Sequence, residues 1–289
     1  MAITEHKQTP RILVAGCGKL GGAVAESLSR QAEVFGLRRN PARIPQGVHA
    51  LGGDLLDPAQ VQSVLPDNLD VVIYCLTPSS YDEEGYRNAY VRGLENLMTA
   101  LGTQSLNRLF FISSSSVYSQ NDDSWVDETS PTEPARFSGQ MVLEGERTAL
   151  DSGNPATTIR FSGIYGPTRQ QFLEAVINGR MDPVSPAPFS NRIHEADAVA
   201  AVCHLVNRSL EGQPMDQCYL ASDCEPVRLD EVVAWVREQI PCAAPGPDAR
   251  KGGRAGSKRC SNKRLLESGF RYRYPDFRAG YRELIDRQK

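Results

Sequence analysis

RILVAGCGKLGG, residues 11–22, decides the fold: a short apolar run, rich in β-branched residues, enters a glycine-rich turn that opens into helix-forming sequence. RILVAG (11–16) reads as a strand and AVAESLSR as the helix after it. Gly16, Gly18 and Gly21 form a G-x-G-x-x-G across the junction, with Lys19 and Leu20 between the last two. The first glycine permits a tight turn, the second lets backbone approach a pyrophosphate, and the third packs helix against strand. The helix N-terminus then offers N–H donors to phosphates. Glycines often serve turns alone, but this string sits between the first strand and the first helix, the context that marks a dinucleotide site.

Outward from this stretch the pattern repeats. EVFGL (33–37), VHALGGD (48–54), DVVIYCL (70–76), RLFFISSSS (108–116) and ATTIRFSGIYG (156–166) read as strands. Helical sequence lies near 58–65, 83–101 and 138–151. Near-continuous apolar strands separated by helices predict a parallel sheet covered on both faces, and right-handed crossovers make it doubly wound. The expected class is α/β, a Rossmann fold over residues 1–166, rejoined by about 191–222. Residues 167–289 are expected to form a smaller C-terminal substrate lobe closing a cleft. There, helices are expected near 169–178, 195–210 and 261–269, a strand at 217–222, and flexible chain over the Pro/Gly-rich 241–258.

Composition narrows the function. The start, MAITEHKQTP, lacks the apolar core of a signal peptide, and no apolar run reaches membrane-spanning length. Seven scattered cysteines, with no C-x-x-C pair, argue for reduced thiols in a cytoplasm and against a metal site. The net charge of −3 conceals an asymmetry: from Arg250 to Lys289 there are 13 Lys/Arg against 4 Asp/Glu. That basic segment suits an anionic small-molecule substrate, a solvated tail or an acidic partner surface, and a homodimer stays open. Nucleic acid and membrane are not expected partners.

The second strand bears on cofactor choice. An NAD site usually places Asp or Glu about 20 residues beyond the first glycine, on the ribose 2′-OH. This chain has Gly36, Leu37, Arg38 and Arg39 there, and no acid. Two guanidiniums suit a 2′-phosphate, so NADP(H) is expected over NAD(H).

With GCGKLGG, GDLLDP (53–58), FISSSSVY (111–118), IRFSGIYGP (159–167) and RIHEAD (192–197) in that order, the chain resembles the extended and atypical short-chain dehydrogenase/reductase superfamily, the NAD-dependent epimerase/dehydratase group. The resemblance covers nearly the whole chain, and KRCSNKRLLESGFRYRYPDFRAGY (258–281) resembles the tail of atypical members. It implies that Asp54 and Leu55 border the adenine pocket, that Leu76, Thr77 and Pro78 pass the cofactor ribose, and that Ser113 and Ser114 lie beside the nicotinamide. It also implies that Ser114, four residues before Tyr118, polarises a substrate oxygen.

Active members carry a Tyr-x-x-x-Lys on the next helix. Aligning Glu144, Gly145 and Glu146 with the segment after that lysine puts Ser138 at the tyrosine position and Val142 at the lysine position. A serine hydroxyl is too weak an acid to protonate an alkoxide near neutrality, and acid/base catalysis is worth about 10²–10⁴-fold in rate. Tyr90, Tyr118, Tyr165 and His194 are the candidate replacements, each also readable as a packing residue. Two readings follow: an NAD(P)-dependent oxidoreductase or epimerase-like enzyme acting on a small or nucleotide-linked substrate with another proton donor, or an inactive NADP(H)-binding regulator or redox sensor.

Overall fold

The computed structural model describes residues 9–252 and 256–288. In chain order its elements are β1 (Arg11–Ala15), α1 (Lys19–Leu28), β2 (Glu33–Arg38), β3 (His49–Gly52), α2 (Pro58–Val64), β4 (Val71–Tyr74), α3 (Glu83–Arg87), α4 (Gly93–Leu101) and β5 (Arg108–Ser114). They continue through β6 (Trp125–Val126), α5 (Phe137–Leu150), β7 (Ala156–Phe161), β8 (Gly163–Tyr165), α6 (Gln171–Ile177), β9 (Phe189–Ser190), β10 (Arg192–His194), α7 (Glu195–Leu210) and β11 (Cys218–Ala221). Last come β12 (Val227–Arg228), α8 (Leu229–Gln239), β13 (Arg259–Cys260), α9 (Lys263–Glu267) and α10 (Phe277–Asp286).

Seven strands form one sheet in the order β11-β7-β5-β4-β1-β2-β3. The chain moves outward from β1 through β2 to β3, then returns to β4 on the other side of β1, with parallel pairing at each step. This is the doubly wound α/β arrangement the sequence predicts, and the reversal of strand order beside β1 opens a crevice at the carboxyl ends. Every residue of β4 and β7 is buried, as strands covered on both faces require.

Two elements depart from expectation. The helix over 83–101 is broken by a π-turn at Asn88–Arg92. Gly93 N–H bonds to Asn88 O, one residue beyond the α-helical partner. The Tyr74 hydroxyl donates instead to the Ala89 carbonyl at 2.7 Å. A side chain inserted at a helix carbonyl is a recognised cause of such a break. The strand over 156–166 ends at Phe161, where Ser162 N–H still bonds to Ala221 O; β8 then pairs with β10 outside the large sheet.

By contact the chain divides into two compact units. The first comprises Met1–Ile112, Glu144–Thr158 and Val202–Gln217. Its core gathers Leu13, Leu37, Val72, Tyr74, Leu94, Leu97 and Phe111. Gly145 lies so close to this core that a Cβ there would sit 2.4 Å from Tyr90 O and 2.6 Å from the Phe111 ring.

The second comprises Ser113–Leu143, Ile159–Ala201 and Cys218–Lys289. Its core gathers Leu173, Val176, Val232, Val236, Phe277, Tyr281 and Leu284. Two of its main contributors, α8 and α10, are not anticipated by the sequence reading. The segment read as flexible, 241–258, is instead tied down over its first half. Ala243 N–H bonds to Ile177 O, Gly246 N–H to Gly179 O and Arg250 N–H to Arg180 O. Asp197, placed near the α7 N-terminus, accepts Arg273 N–H at 2.8 Å and Tyr274 N–H at 2.9 Å. No described helix is long and apolar enough to cross a membrane.

Candidate functional site

In the first unit a cavity of about 340 Å³ opens at the carboxyl ends of β1, β2, β3 and β4. Gly16 and Gly18 form its floor, Leu37–Asn40 one wall, Gly53–Leu56 another, and Cys75, Leu76, Thr77 and Ser79 a third. The glycines meet different demands. Gly16 has φ +93°, and a Cβ there would lie 2.3 Å from Cys75 O. A Cβ at Gly21 would lie 2.4 Å from Gly16 O, so helix α1 packs directly on the turn. A Cβ at Gly18 would meet nothing nearer than 4.0 Å. Space is thus kept free in front of the Gly18 backbone, beside the first turn of α1, whose opening N–H groups have no intrahelical partners.

The two arginines after β2 differ. Arg38 Nη1 donates to Cys17 O at 3.0 Å and to Arg43 O at 3.2 Å, holding the glycine loop to the β2–β3 connection. Arg39 is exposed, lines the cavity, and has no hydrogen-bond or ion-pair partner among the described residues. Asp54 Oδ1 accepts Leu56 N–H at 3.0 Å, which fixes the turn after β3.

Of the residues expected at the cofactor, Gly16, Gly18, Arg38, Arg39, Asp54, Leu55, Leu76 and Thr77 line this cavity. Leu20 and Gly21 are buried beneath it, Lys19 is exposed at the start of α1, and Pro78 is buried between two lining residues. Ser113 falls in the second unit, 5% exposed. Gly85, Asn88 and Ala89 also line the cavity. Sequence reasoning does not find them, because the π-turn that shapes this wall depends on Tyr74, a residue distant in the chain.

The second unit holds the residues expected to act on substrate. Ser114 Oγ accepts Ser116 N–H at 3.1 Å, closing the short turn that ends β5. Helix α5 packs on that turn: a Cβ at Gly139 would lie 2.5 Å from Ser116 O. Ser138, beside it, is half-buried, and Val142, one turn on, is 1% exposed. Tyr118 donates to Asp127 O at 2.8 Å and accepts from Arg160 Nη1 at 2.9 Å, so its hydroxyl is occupied. Burial pushes the hydroxyls of Tyr118 and Tyr165 well above the ordinary tyrosine range. In the first unit, burial does the same to Tyr90. These are poor acids near neutrality. His194 Nδ1 accepts Ala196 N–H at 3.2 Å, its ring lies 3.9 Å from that of Tyr274, and burial lowers its pKa. It is built as a packing histidine.

A second cavity of about 330 Å³, wholly within this unit, is lined by Arg169, Arg192 and Arg250, with no carboxylate among the described lining residues. Arg192 is 5% exposed. Its guanidinium lies 5.6–5.8 Å from the ring centroids of Phe172, Phe277 and Tyr281.

The sequence model of the NAD dependent epimerase/dehydratase family matches residues 12–184. The chain belongs to that family. A solved structure from Methylobacillus flagellatus, assigned to the NAD-dependent epimerases/dehydratases, is 33% identical, covers 96% of this chain and 98% of its own, and superposes with a TM-score of 0.82. The Thermus thermophilus UDP-glucose 4-epimerase, solved in complex with NAD, shares the fold at 21% identity. It covers 96% of this chain and 98% of its own, with a TM-score of 0.74. Among curated proteins, short-chain dehydrogenase/reductase family 42E member 1 of Xenopus laevis is 22% identical over 200 residues, 62% of this chain. The chain spans about half the length of that relative, 52%.

Within the family's matched segment lie the glycine loop, both arginines, the serine-rich end of β5 and the start of α5. The three arginines of the second cavity are split: Arg169 lies inside that segment, Arg192 and Arg250 beyond it.

Proposed function

We infer that this protein is an NADP(H)-dependent oxidoreductase or epimerase-like enzyme acting on a small or nucleotide-linked substrate that carries an anionic group. The observation that carries the reading is the first-unit cavity, whose glycine loop leaves the space before Gly18 open at the switch point of the sheet. Gly16, Gly18 and the first turn of α1 would cradle the pyrophosphate, and Arg39 would meet the 2′-phosphate. Arg38 would keep the loop in place. Asp54 and Leu55 would border the adenine. When bound, the dinucleotide supplies or accepts a hydride. Ser114 would hydrogen-bond a substrate oxygen, and the three-arginine cavity favours an anionic substrate group.

Ser138 and Val142 at the usual tyrosine and lysine positions favour a second reading, a dinucleotide-binding regulator without turnover. The two are separated by following NADPH oxidation against a panel of aldehydes, ketones and nucleotide sugars. Turnover supports the enzyme. Tight NADPH binding with no turnover on any member supports the regulator.

A further inference from the structure

Arg192 is 5% exposed, yet two of its guanidinium nitrogens, Nε and Nη1, have no hydrogen-bond partner among the described residues. The third, Nη2, donates to Ser190 Oγ at 2.7 Å. A buried cation is costly unless an anion pairs with it. The carboxyl that acts on it, Asp223, does not serve: burial raises its pKa to about 8, so it is protonated near neutrality. Its Oδ2 is likewise buried without a partner among the described residues.

The guanidinium stands at the wall of the three-arginine cavity. It lies 5.6 Å from the Phe172 ring centroid and 5.8 Å from that of Tyr281. Both rings line the cavity, and so does Ser190. The Tyr165 hydroxyl, also buried without a partner among the described residues, belongs to the same wall: Tyr165 lines the cavity, and its ring lies 4.5 Å from that of Tyr281. Gly280 on α10 makes room for it, since a Cβ there would collide with the hydroxyl oxygen. Ile164, Phe172, Met181 and Leu229 supply apolar walls. All the described lining residues belong to the second unit.

Charge selects the occupant. Arg169 Nη1 lies 3.9 Å from Glu195 Oε2, which offsets it, and Arg250 is exposed, so water screens it. The buried, uncompensated charge is therefore that of Arg192 alone, and it matches a monoanion. A phosphate monoester carries about −1.5 to −2 charges near pH 7, and its excess charge would be desolvated without a partner. A carboxylate carries one, and it accepts charge-assisted hydrogen bonds from a guanidinium.

We propose that this cavity binds the carboxylate of a small organic acid with an apolar body, held by Arg192 and the Tyr165 hydroxyl; this rests on the reading above that the cavity takes an anionic substrate group. The apolar body would lie against Ile164, Phe172, Met181 and Leu229. At about 330 Å³ the cavity is at the small end of ligand pockets, which run about 300–1,000 Å³.

The test is calorimetry at neutral pH with three probes that share a phenyl body: benzoate, neutral benzamide and phenyl phosphate. Benzoate should bind wild type at least about 10-fold more tightly than either of the others. Arg192→Met should weaken benzoate at least about 10-fold, and without ligand it should melt no lower than wild type, because an uncompensated buried charge is gone. Arg192→Lys keeps the charge but not the planar fork, and should recover only part of the affinity. Benzamide binding as tightly as benzoate, or benzoate affinity unchanged in Arg192→Met, overturns the site. Phenyl phosphate binding as tightly as benzoate overturns the carboxylate assignment. Should Arg192→Met fail to fold, the three probes on wild type still decide. Wild type that turns over carbonyls but does not bind benzoate overturns this assignment alone. Wild type that binds benzoate by these criteria but turns over no carbonyl upholds the site and removes the oxidoreductase reading.

Discussion

At the scale of single residues, Arg38 and Arg39 look equivalent in sequence and are not equivalent in space. Arg38 is committed to two backbone carbonyls, while Arg39 stands at the cavity without a hydrogen-bond or ion-pair partner among the described residues. An Arg–phosphate contact is worth about 1.5–3 kcal/mol, or about 10- to 100-fold in affinity. Arg39→Ala should therefore erase most of the NADP(H) preference and leave NADH affinity nearly unchanged. Arg38→Ala should weaken both cofactors together, because it releases the loop. Calorimetry with NADPH and NADH on both variants checks this, and a selective NADPH loss in Arg38→Ala would reverse the roles. Which guanidinium turns inward is decided by the carbonyls of Cys17 and Arg43, so adjacency in sequence cannot reveal it.

Asp223 offers a second residue-scale test. It is 1% exposed, and burial raises its pKa to about 8, with the nearby Arg192 guanidinium opposing. A folded pKa above the unfolded value of 3.8 means folding favours the protonated form. The corresponding stability is complete below about pH 4 and is lost as pH rises toward 8, at about 1.4 kcal/mol per pKa unit as an upper limit. Asp223→Asn removes that loss. The variant should melt above wild type at pH 8–9, with a flatter Tm profile between pH 5 and 9. Parallel profiles would place the Asp223 titration elsewhere.

At the scale of elements, the π-turn at Asn88–Arg92 is set by one hydroxyl. Tyr74→Phe leaves the buried Ala89 carbonyl without its donor, at a cost of about 1–3 kcal/mol. Because Asn88 and Ala89 line the first-unit cavity, NADPH affinity should fall along with stability. Urea unfolding and NADPH titration of the same variant check both, and a drop in neither would remove Tyr74 as the cause. The strands were legible because buried parallel strands are almost wholly apolar, as IYC and LFF show. Helix α8 carries Leu229, Val232, Val233 and Val236 at helical spacing, a readable stripe, but no side-chain cap marks its start. The break between β7 and β8 has no comparable mark, since it follows from β8 pairing with β10.

At the scale of the whole molecule, the glycine turn, its place after β1 and the doubly wound parallel sheet were all legible from RILVAGCGKLGG outward. The burial of Lys258, 3% exposed, was not, because a lysine in a Gly-rich basic stretch reads as solvated. The central claim is that the first-unit cavity holds a dinucleotide with its pyrophosphate against Gly18. Gly18 has negative φ, and a side chain there would project into open space rather than into protein. The most direct measurement is therefore NADPH calorimetry on Gly18→Val beside wild type, with melting temperatures recorded for both. The account predicts a melting temperature within a few degrees of wild type and at least about a 10-fold loss of NADPH affinity. Unchanged NADPH affinity in a folded Gly18→Val protein would contradict it.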